Sequence, residues 1–170
     1  MSKLFHQIII TQQHGFISGR SVDTNLFLFT NYIYDSFEKG VETHALYMDF
    51  SKAFDKVSHS ILLSSLSSYG VSGVLLFWME SYLTGRRQQA KVDSHISQQF
   101  IVTSGVPQGS HLGPLLLGLF INDLGDLLSS NFLLFADDMK LYRQVSSAND
   151  IAVLQNDINI GFKWCKLNDI

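Results

Sequence analysis

Residues Asn131–Tyr142 read NFLLFADDMKLY. An apolar run enters two adjacent aspartates, Asp137 and Asp138, and a second short run, Met139–Tyr142, leaves them. The pattern predicts a strand, a tight turn and a returning strand. Two carboxylates then sit side by side at the tip of an otherwise apolar hairpin, where like charges repel and resist desolvation. A divalent cation relieves both, because hard ions such as Mg²⁺ take oxygen ligands from one or two carboxylates together with substrate phosphates. A solvated acidic turn is the plain alternative, since Asp is common in turns.

The 170 residues suit one domain with a real core. Hydrophobic residues at 46% against charged residues at 16% describe a globular chain. The net charge of −3 gives no global basic signature of the kind a freestanding nucleic-acid binder carries, so the basic residues are judged locally. Cys165 is the single cysteine, which excludes an internal disulfide and a cysteine-based zinc cluster. No apolar run approaches the roughly 18–20 residues needed to span a bilayer, and the start of the chain is too weakly apolar for a signal peptide. A reducing, intracellular location without membrane contact is expected.

Outward from the hairpin the chain punctuates itself. Residues 1–13 read as the tail of an earlier element, and Gln13–Ser21 as a glycine-containing loop. A helix is expected over Val22–Glu38, capped by Ser21 or Asp23, closed by Gly40, with Leu26, Phe29, Ile33 and Phe37 as its core stripe. Thr43–Phe50 (THALYMDF) reads as a strand buried on both faces that ends in Asp49. Helices are expected over His59–Tyr69 and Gly73–Thr84, a hairpin over Arg86–Thr103 turning near Asp93 and Ser94, and a helix over Leu115–Leu128 after Pro114. The last helix starts at the cap Ser147, with Asp150 at its third position and Ile151, Leu154, Ile158, Phe162 and Cys165 on one face. Without the inserted hairpin the order is β-α-β-β-α, one strand short of a ferredoxin-like split βαβ unit. In that fold Asp49, Asp137 and Asp138 can converge, in outline a two-metal site for in-line phosphoryl displacement. Asp49 as a mere strand-end residue is the alternative.

Three segments carry a family resemblance. YMDFSKAFDKVSHSILL (Tyr47–Leu63), SGVPQGSHLGPLLLGLFINDL (Ser104–Leu124) and LLFADDMKLY (Leu133–Tyr142) resemble, in order, the A, B and C motifs of reverse transcriptases of the non-LTR, LINE-type retrotransposons. QHGFISGRSVDTNL (Gln13–Leu26) is similar to the fingers block before motif A, and LQNDINIGFKWCKLND (Leu154–Asp169) to the helix after motif C.

The resemblance implies an α+β polymerase palm, a split βαβ antiparallel sheet with partial fingers and no thumb, divided as fingers over 1–42 and palm over 43–170. It implies that Asp49, Asp137 and Asp138, with the Phe50 backbone carbonyl, hold two Mg²⁺ ions (Mn²⁺ being an alternative) while a primer 3′-hydroxyl attacks an incoming dNTP on an RNA or DNA template. The Phe50–Phe54 turn, Ala53 included, would lie against the triphosphate. Phe54 would stand under the sugar and exclude a 2′-hydroxyl, although an aromatic there also reads as ordinary core. Gln108, with Gly109 beside it, would contact the nucleotide, and Arg20 would grip phosphates, although a loop arginine is ordinarily solvated. Arg86, Arg87 and Lys91 are read as tracking the template or primer backbone, or else as a solvated hairpin. No histidine shows metal-ligand spacing, and none is assigned chemistry.

Ser58, His111 and Gly118 depart from the family pattern without touching the proposed ligands. The family's lysine that protonates pyrophosphate, the last strand and the thumb are expected past Ile170, which would leave an open apolar sheet edge. An inactive retroelement relic or nucleic-acid-binding module on the same fold is the competing reading, and a palm polymerase of another template class a third. Nuclear residence is a family expectation, and the oligomeric state is left open.

Overall fold

In chain order, α1 (Val22–Lys39) leads into β1 (Glu42–Asp49), followed by a single turn α2 (Ala53–Lys56), α3 (His59–Ser68) and α4 (Gly73–Leu83). Two short ribbons come next, β2 (Arg87–Gln88) paired with β5 (Phe100–Ile101) and enclosing β3 (Lys91–Val92) paired with β4 (His95–Ile96). Then follow α5 (Gly113–Ile121), a 3₁₀ segment (Asn122–Leu127), β6 (Asn131–Phe135), β7 (Asp138–Val145) and α6 (Ala148–Leu167). This computed structural model describes Phe5 and residues 8–170; His6 and most of the expected N-terminal element lie outside the described residues.

The apolar run of β6 buries Phe132, Leu133 and Leu134, and the chain turns through Ala136 and Asp137 into β7. β7 is the central strand of an antiparallel sheet in the order β1-β7-β6. That is the split βαβ arrangement expected of the sequence, with β1 lying at an edge among the described residues. The expectation that β1 is buried on both faces fails. None of its residues is fully buried, and Tyr47 is 68% exposed. Paired on one side only, the strand leaves its outer rim to solvent, and α1 covers the face away from the core only in part, Phe29 meeting Tyr47 edge-on.

The core lies between the inner face of the sheet (Leu134, Met139, Leu141) and helices α3, α5 and α6. α5 is apolar all round and is buried along almost its whole length, as such a helix must be. It ends as an α-helix at Ile121, short of the expected Leu128. The buried Asn122 side chain instead accepts from the Ile10 N–H at 2.8 Å and donates to the Ile8 carbonyl at 3.2 Å. Those bonds fasten the N-terminal segment to the helix end, and the chain continues in the tighter 3₁₀ form. Trp164 of α6 closes the core, with its ring edge-on to Phe50 and Phe120 and its indole N–H donating to Asp123 at 3.0 Å.

Two helices turn a different face inward than their apolar periodicity predicts. In α1 the inward positions are Asn25, Phe29, Tyr32 and Ser36, while Leu26 and Phe37 stand exposed. Asn25 donates to the Leu134 carbonyl at 3.1 Å, and the Tyr32 hydroxyl accepts from the Gln144 N–H at 2.7 Å. Polar bonds to the sheet thus override a stripe that differs by one residue. In α6, Asp157 is buried because its carboxylate accepts the N–H groups of Ser129 and Ser130; Ile151 and Phe162 are exposed.

Both long helices begin with reciprocal capping boxes, at Ser21 with Thr24 and at Ser147 with Asp150. Removing the second cap with Ser147→Ala is expected to cost about 1 kcal/mol. In thermal unfolding that is a fall in Tm of about 2–4 °C for a chain of this size. An unchanged Tm means the cap is not stabilising. No helix among the described residues is long and apolar enough to cross a membrane.

Candidate active site

Sheet register brings the acids together. Asp49, at the end of β1, lies directly opposite Asp138, the first residue of β7. Side chains of such a pair share one face, with Cβ atoms about 4.5–5.5 Å apart. Asp137 occupies the turn immediately before, and its carbonyl accepts the Phe50 N–H at 3.3 Å, tying the end of β1 to the hairpin tip. Partial desolvation at the turn, then the charges of Asp137 and Asp49, hold the Asp138 carboxyl above its ordinary value.

The three carboxylates are neighbours, but no three His, Cys, Asp or Glu side chains among the described residues close into a preformed ion cage. The expected ligand set is therefore placed by the backbone and left unlocked at its oxygens. Asp49 and Asp138 are exposed, and mutual repulsion favours splayed rotamers. The donor chemistry still suits Mg²⁺: hard anionic oxygens on adjacent strands, few in number, with room for phosphate oxygens. The Phe50 carbonyl accepts the Ala53 N–H at 3.0 Å, which uses part of its acceptor capacity. Ala53 is buried and its N–H is spent there, so it offers no free donor to a triphosphate.

A cavity of about 720 Å³ is walled by Phe16, Phe54, Pro107, Gln108, Gly109 and His111 among others; none of the three aspartates is in its lining. Three of the expected nucleotide residues, Phe54, Gln108 and Gly109, thus meet in one concave space. Phe16 stands edge-on to Phe54 with centroids 6.5 Å apart. Gln108 donates to the Asp55 carboxylate at 2.9 Å, which orients its amide.

The Ser104–Gln108 loop is held hard against α2. The N–H groups of Gly105 and Val106 donate to the carbonyls of Val57 and Phe54, and the Ser104 hydroxyl donates to the Asp55 carbonyl. The Gly105 carbonyl accepts from His59 Nε2 at 2.8 Å and from Arg86 Nη2 at 2.6 Å. Arg86 also donates to the Leu83 carbonyl at 3.0 Å. Its guanidinium is committed to the fold, which counts against a template-tracking role. Arg87 and Lys91 are exposed on the ribbons. Arg20 is likewise engaged inward, donating from Nη1 to the carbonyls of Ile10 and Gln13 at 2.8 and 2.6 Å; it braces the loop before α1, which counts against a phosphate grip.

Two contributors escaped the sequence reading. His59 carried no ligand spacing, yet it is buried on the Gly105 carbonyl. Its position in the first turn of a helix just after an acid-bearing strand was the available signal. Gln13 looked like a loop residue, yet it is buried against the aspartate hairpin. The glycine two residues on, Gly15, was the hint of close backbone approach.

Residues 1–170 match the family described as "Reverse transcriptase (RNA-dependent DNA polymerase)". A "Probable RNA-directed DNA polymerase from transposon BS" of Drosophila melanogaster is 31% identical over 94% of this chain and 18% of its own length. A "Probable RNA-directed DNA polymerase from transposon X-element" of the same fly is 32% identical over 73% of this chain and 15% of its own length. The chain therefore spans less than a fifth of these curated relatives. Among solved structures, an apo telomerase from Candida tropicalis superposes with a TM-score of 0.69 at 12% identity, over 92% of this chain and 35% of that one. A telomerase from Candida albicans gives 0.67 at 12% identity, over 91% of this chain and 31% of that one. The shared architecture is a polymerase palm.

Proposed function

The chain belongs to the reverse transcriptase (RNA-dependent DNA polymerase) family, in the non-LTR retrotransposon branch, and from that premise we propose that it is the palm and adjoining fingers portion of an enzyme that extends a primer 3′-hydroxyl with dNTP along an RNA template. The observation that carries the reading is Asp49 facing Asp138 across the sheet, with Asp137 in the turn between strands.

Asp49, Asp137 and Asp138 would hold the divalent ions. When bound, those ions supply Lewis acidity that lowers the pKa of the attacking hydroxyl and neutralises the departing pyrophosphate. The chain's own residues do the rest. β1 and β7 fix where the carboxylates project. Asp55 holds the Gln108 amide at the cavity, ready to bond the nucleotide. Phe16 and Phe54 form an apolar wall on which a sugar or base can rest without water.

Primer extension with oligo(dT) on poly(rA), Mg²⁺ and dTTP is expected to give products above an Asp137→Asn control. Background extension by folded wild-type chain would sink the reading and leave a binding module on the palm fold. Preference for a DNA template in competition would move it to another palm polymerase class.

Phe54→Ala opens the sugar wall. It is expected to raise ribonucleotide incorporation relative to dNTP by about 10–100-fold in kcat/KM, the range that one lost steric contact commands. An unchanged ratio, with activity retained, assigns Phe54 to packing alone.

A further inference from the structure

The aspartate turn carries an energetic problem. Ala136 has φ of +57°, a left-handed conformation that costs a non-glycine residue roughly 1–2 kcal/mol. Its backbone is also buried, so its N–H and carbonyl need partners. Gln13, itself 2% exposed, supplies both. Its amide Nε2 donates to the Ala136 carbonyl at 3.0 Å, and its Oε1 accepts the Ala136 N–H at 2.9 Å. The same oxygen accepts the Gly15 N–H at 2.8 Å, which fixes the carboxamide from behind.

The rest of the segment is built to hold this side chain in place. The Leu134 N–H donates to the Gln12 carbonyl and the His14 N–H donates to the Leu134 carbonyl, both at 2.9 Å, so the segment runs beside β6 as a short parallel partner. Gly15 lies so close that an added Cβ would fall 2.2 Å from the Ala136 nitrogen. Arg20 braces the Gln13 carbonyl from the far side.

We propose that Gln13 is a positioning residue for the catalytic turn: its carboxamide clamps both backbone groups of Ala136 and thereby sets the direction of the Asp137 and Asp138 carboxylates. It touches no reacting atom. Its effect passes through one residue whose strained dihedral decides where the next two side chains project. This rests on the assignment of Asp137 and Asp138 as ion ligands under the proposed function.

The test uses Mn²⁺ as probe. Its affinity for the chain is measured by electron paramagnetic resonance, beside kcat and KM in primer extension. Gln13→Met keeps the side-chain length and loses all three bonds. Supporting partners of metal ligands typically command 10–100-fold in affinity or activity. Gln13→Met is therefore expected to weaken Mn²⁺ binding about tenfold or more and to lower kcat by a similar factor, with KM for dNTP unchanged. Gln13→Glu keeps both accepted bonds but turns an acceptor oxygen toward the Ala136 carbonyl, and is expected to weaken Mn²⁺ binding and lower kcat in the same direction as Gln13→Met. Folded Gln13→Met with wild-type Mn²⁺ affinity overturns the proposal. Where Gln13→Met does not fold, Gln13→Glu decides. Loss of kcat at unchanged KM upholds the clamp, because only the bond to the Ala136 carbonyl has gone; wild-type kcat overturns it. Wild-type chain that binds Mn²⁺ and extends no primer sinks the polymerase reading alone, and the Mn²⁺ comparison still judges the clamp.

Discussion

Asp138→Asn is expected to abolish primer extension while making the chain more stable. The lost activity should be on the order of a thousandfold or more, because a ligand to ions that stabilise transition-state charge is worth several kcal/mol. The stability gain follows from the same geometry. Asp138 faces Asp49 across the ladder and follows Asp137 along it, and like charges so placed oppose folding. Its carboxyl, though exposed, is held above its ordinary value, first by partial desolvation and then by those neighbours. A carboxyl whose folded pKa is raised helps the fold only while protonated. That help is complete at acid pH and is lost as pH rises through the raised value. At neutral pH the ionised group therefore works against the native state, and asparagine removes the charge at nearly constant shape. A rise in Tm of about 1–2 °C is expected at pH 7, shrinking toward pH 4. A fall in Tm at pH 7 would mean that the carboxylate is a structural ligand of the fold and would undercut the catalytic assignment.

The second large effect belongs to Gly105. Its φ is +83°, and an added Cβ would meet the backbone carbonyl oxygens of Phe54 and Asp55, each at 2.7 Å. No flexible side chain can yield there. Gly105→Ala thus combines a left-handed penalty of roughly 1–2 kcal/mol with overpacking of about 1–3 kcal/mol. Denaturant unfolding should show a loss of about 2–5 kcal/mol on that sum. The same step displaces the loop bearing Gln108 from α2. KM for dNTP should therefore rise even where the variant is kept folded at low temperature. Wild-type stability for Gly105→Ala would mean that the loop does not press on α2 in solution.

These outcomes bear on how much the sequence could disclose. The hairpin, the acids, the cap of Ser147 with Asp150 and the turn at Asp93 were legible because each is written in residues a few positions apart. What escaped was written in pairs far apart. The inner face of α1 is chosen by Asn25 bonding Leu134 and by Tyr32 bonding Gln144, over an apolar stripe one residue away. The end of α5 is chosen by Asn122 bonding the N-terminal segment. Arg20 and Arg86 look like free cations in the sequence, and only the fold reveals the carbonyls that occupy them. Polar side chains that bond distant backbone leave no periodic trace, so hydropathy patterns pass over them. Of the candidate site, the facing of Asp49 and Asp138 across the sheet and the meeting of Phe54 and Gln108 in one cavity follow the sequence reading. The device holding their turn was not.

The one-sided pairing of β1 has a consequence for the chemistry. All eight of its residues are matched to β7, and among the described residues no strand on the other flank corrects an error. Sliding by a single step would set Met48 or Phe50 across from Asp138 and swing Asp49 to the opposite surface. Such a ladder has no half-way settings. Alignment of two ribbons therefore acts as an on–off condition for the acid pair, and any sequence change that loosens β1 threatens that pairing before the rest of the sheet.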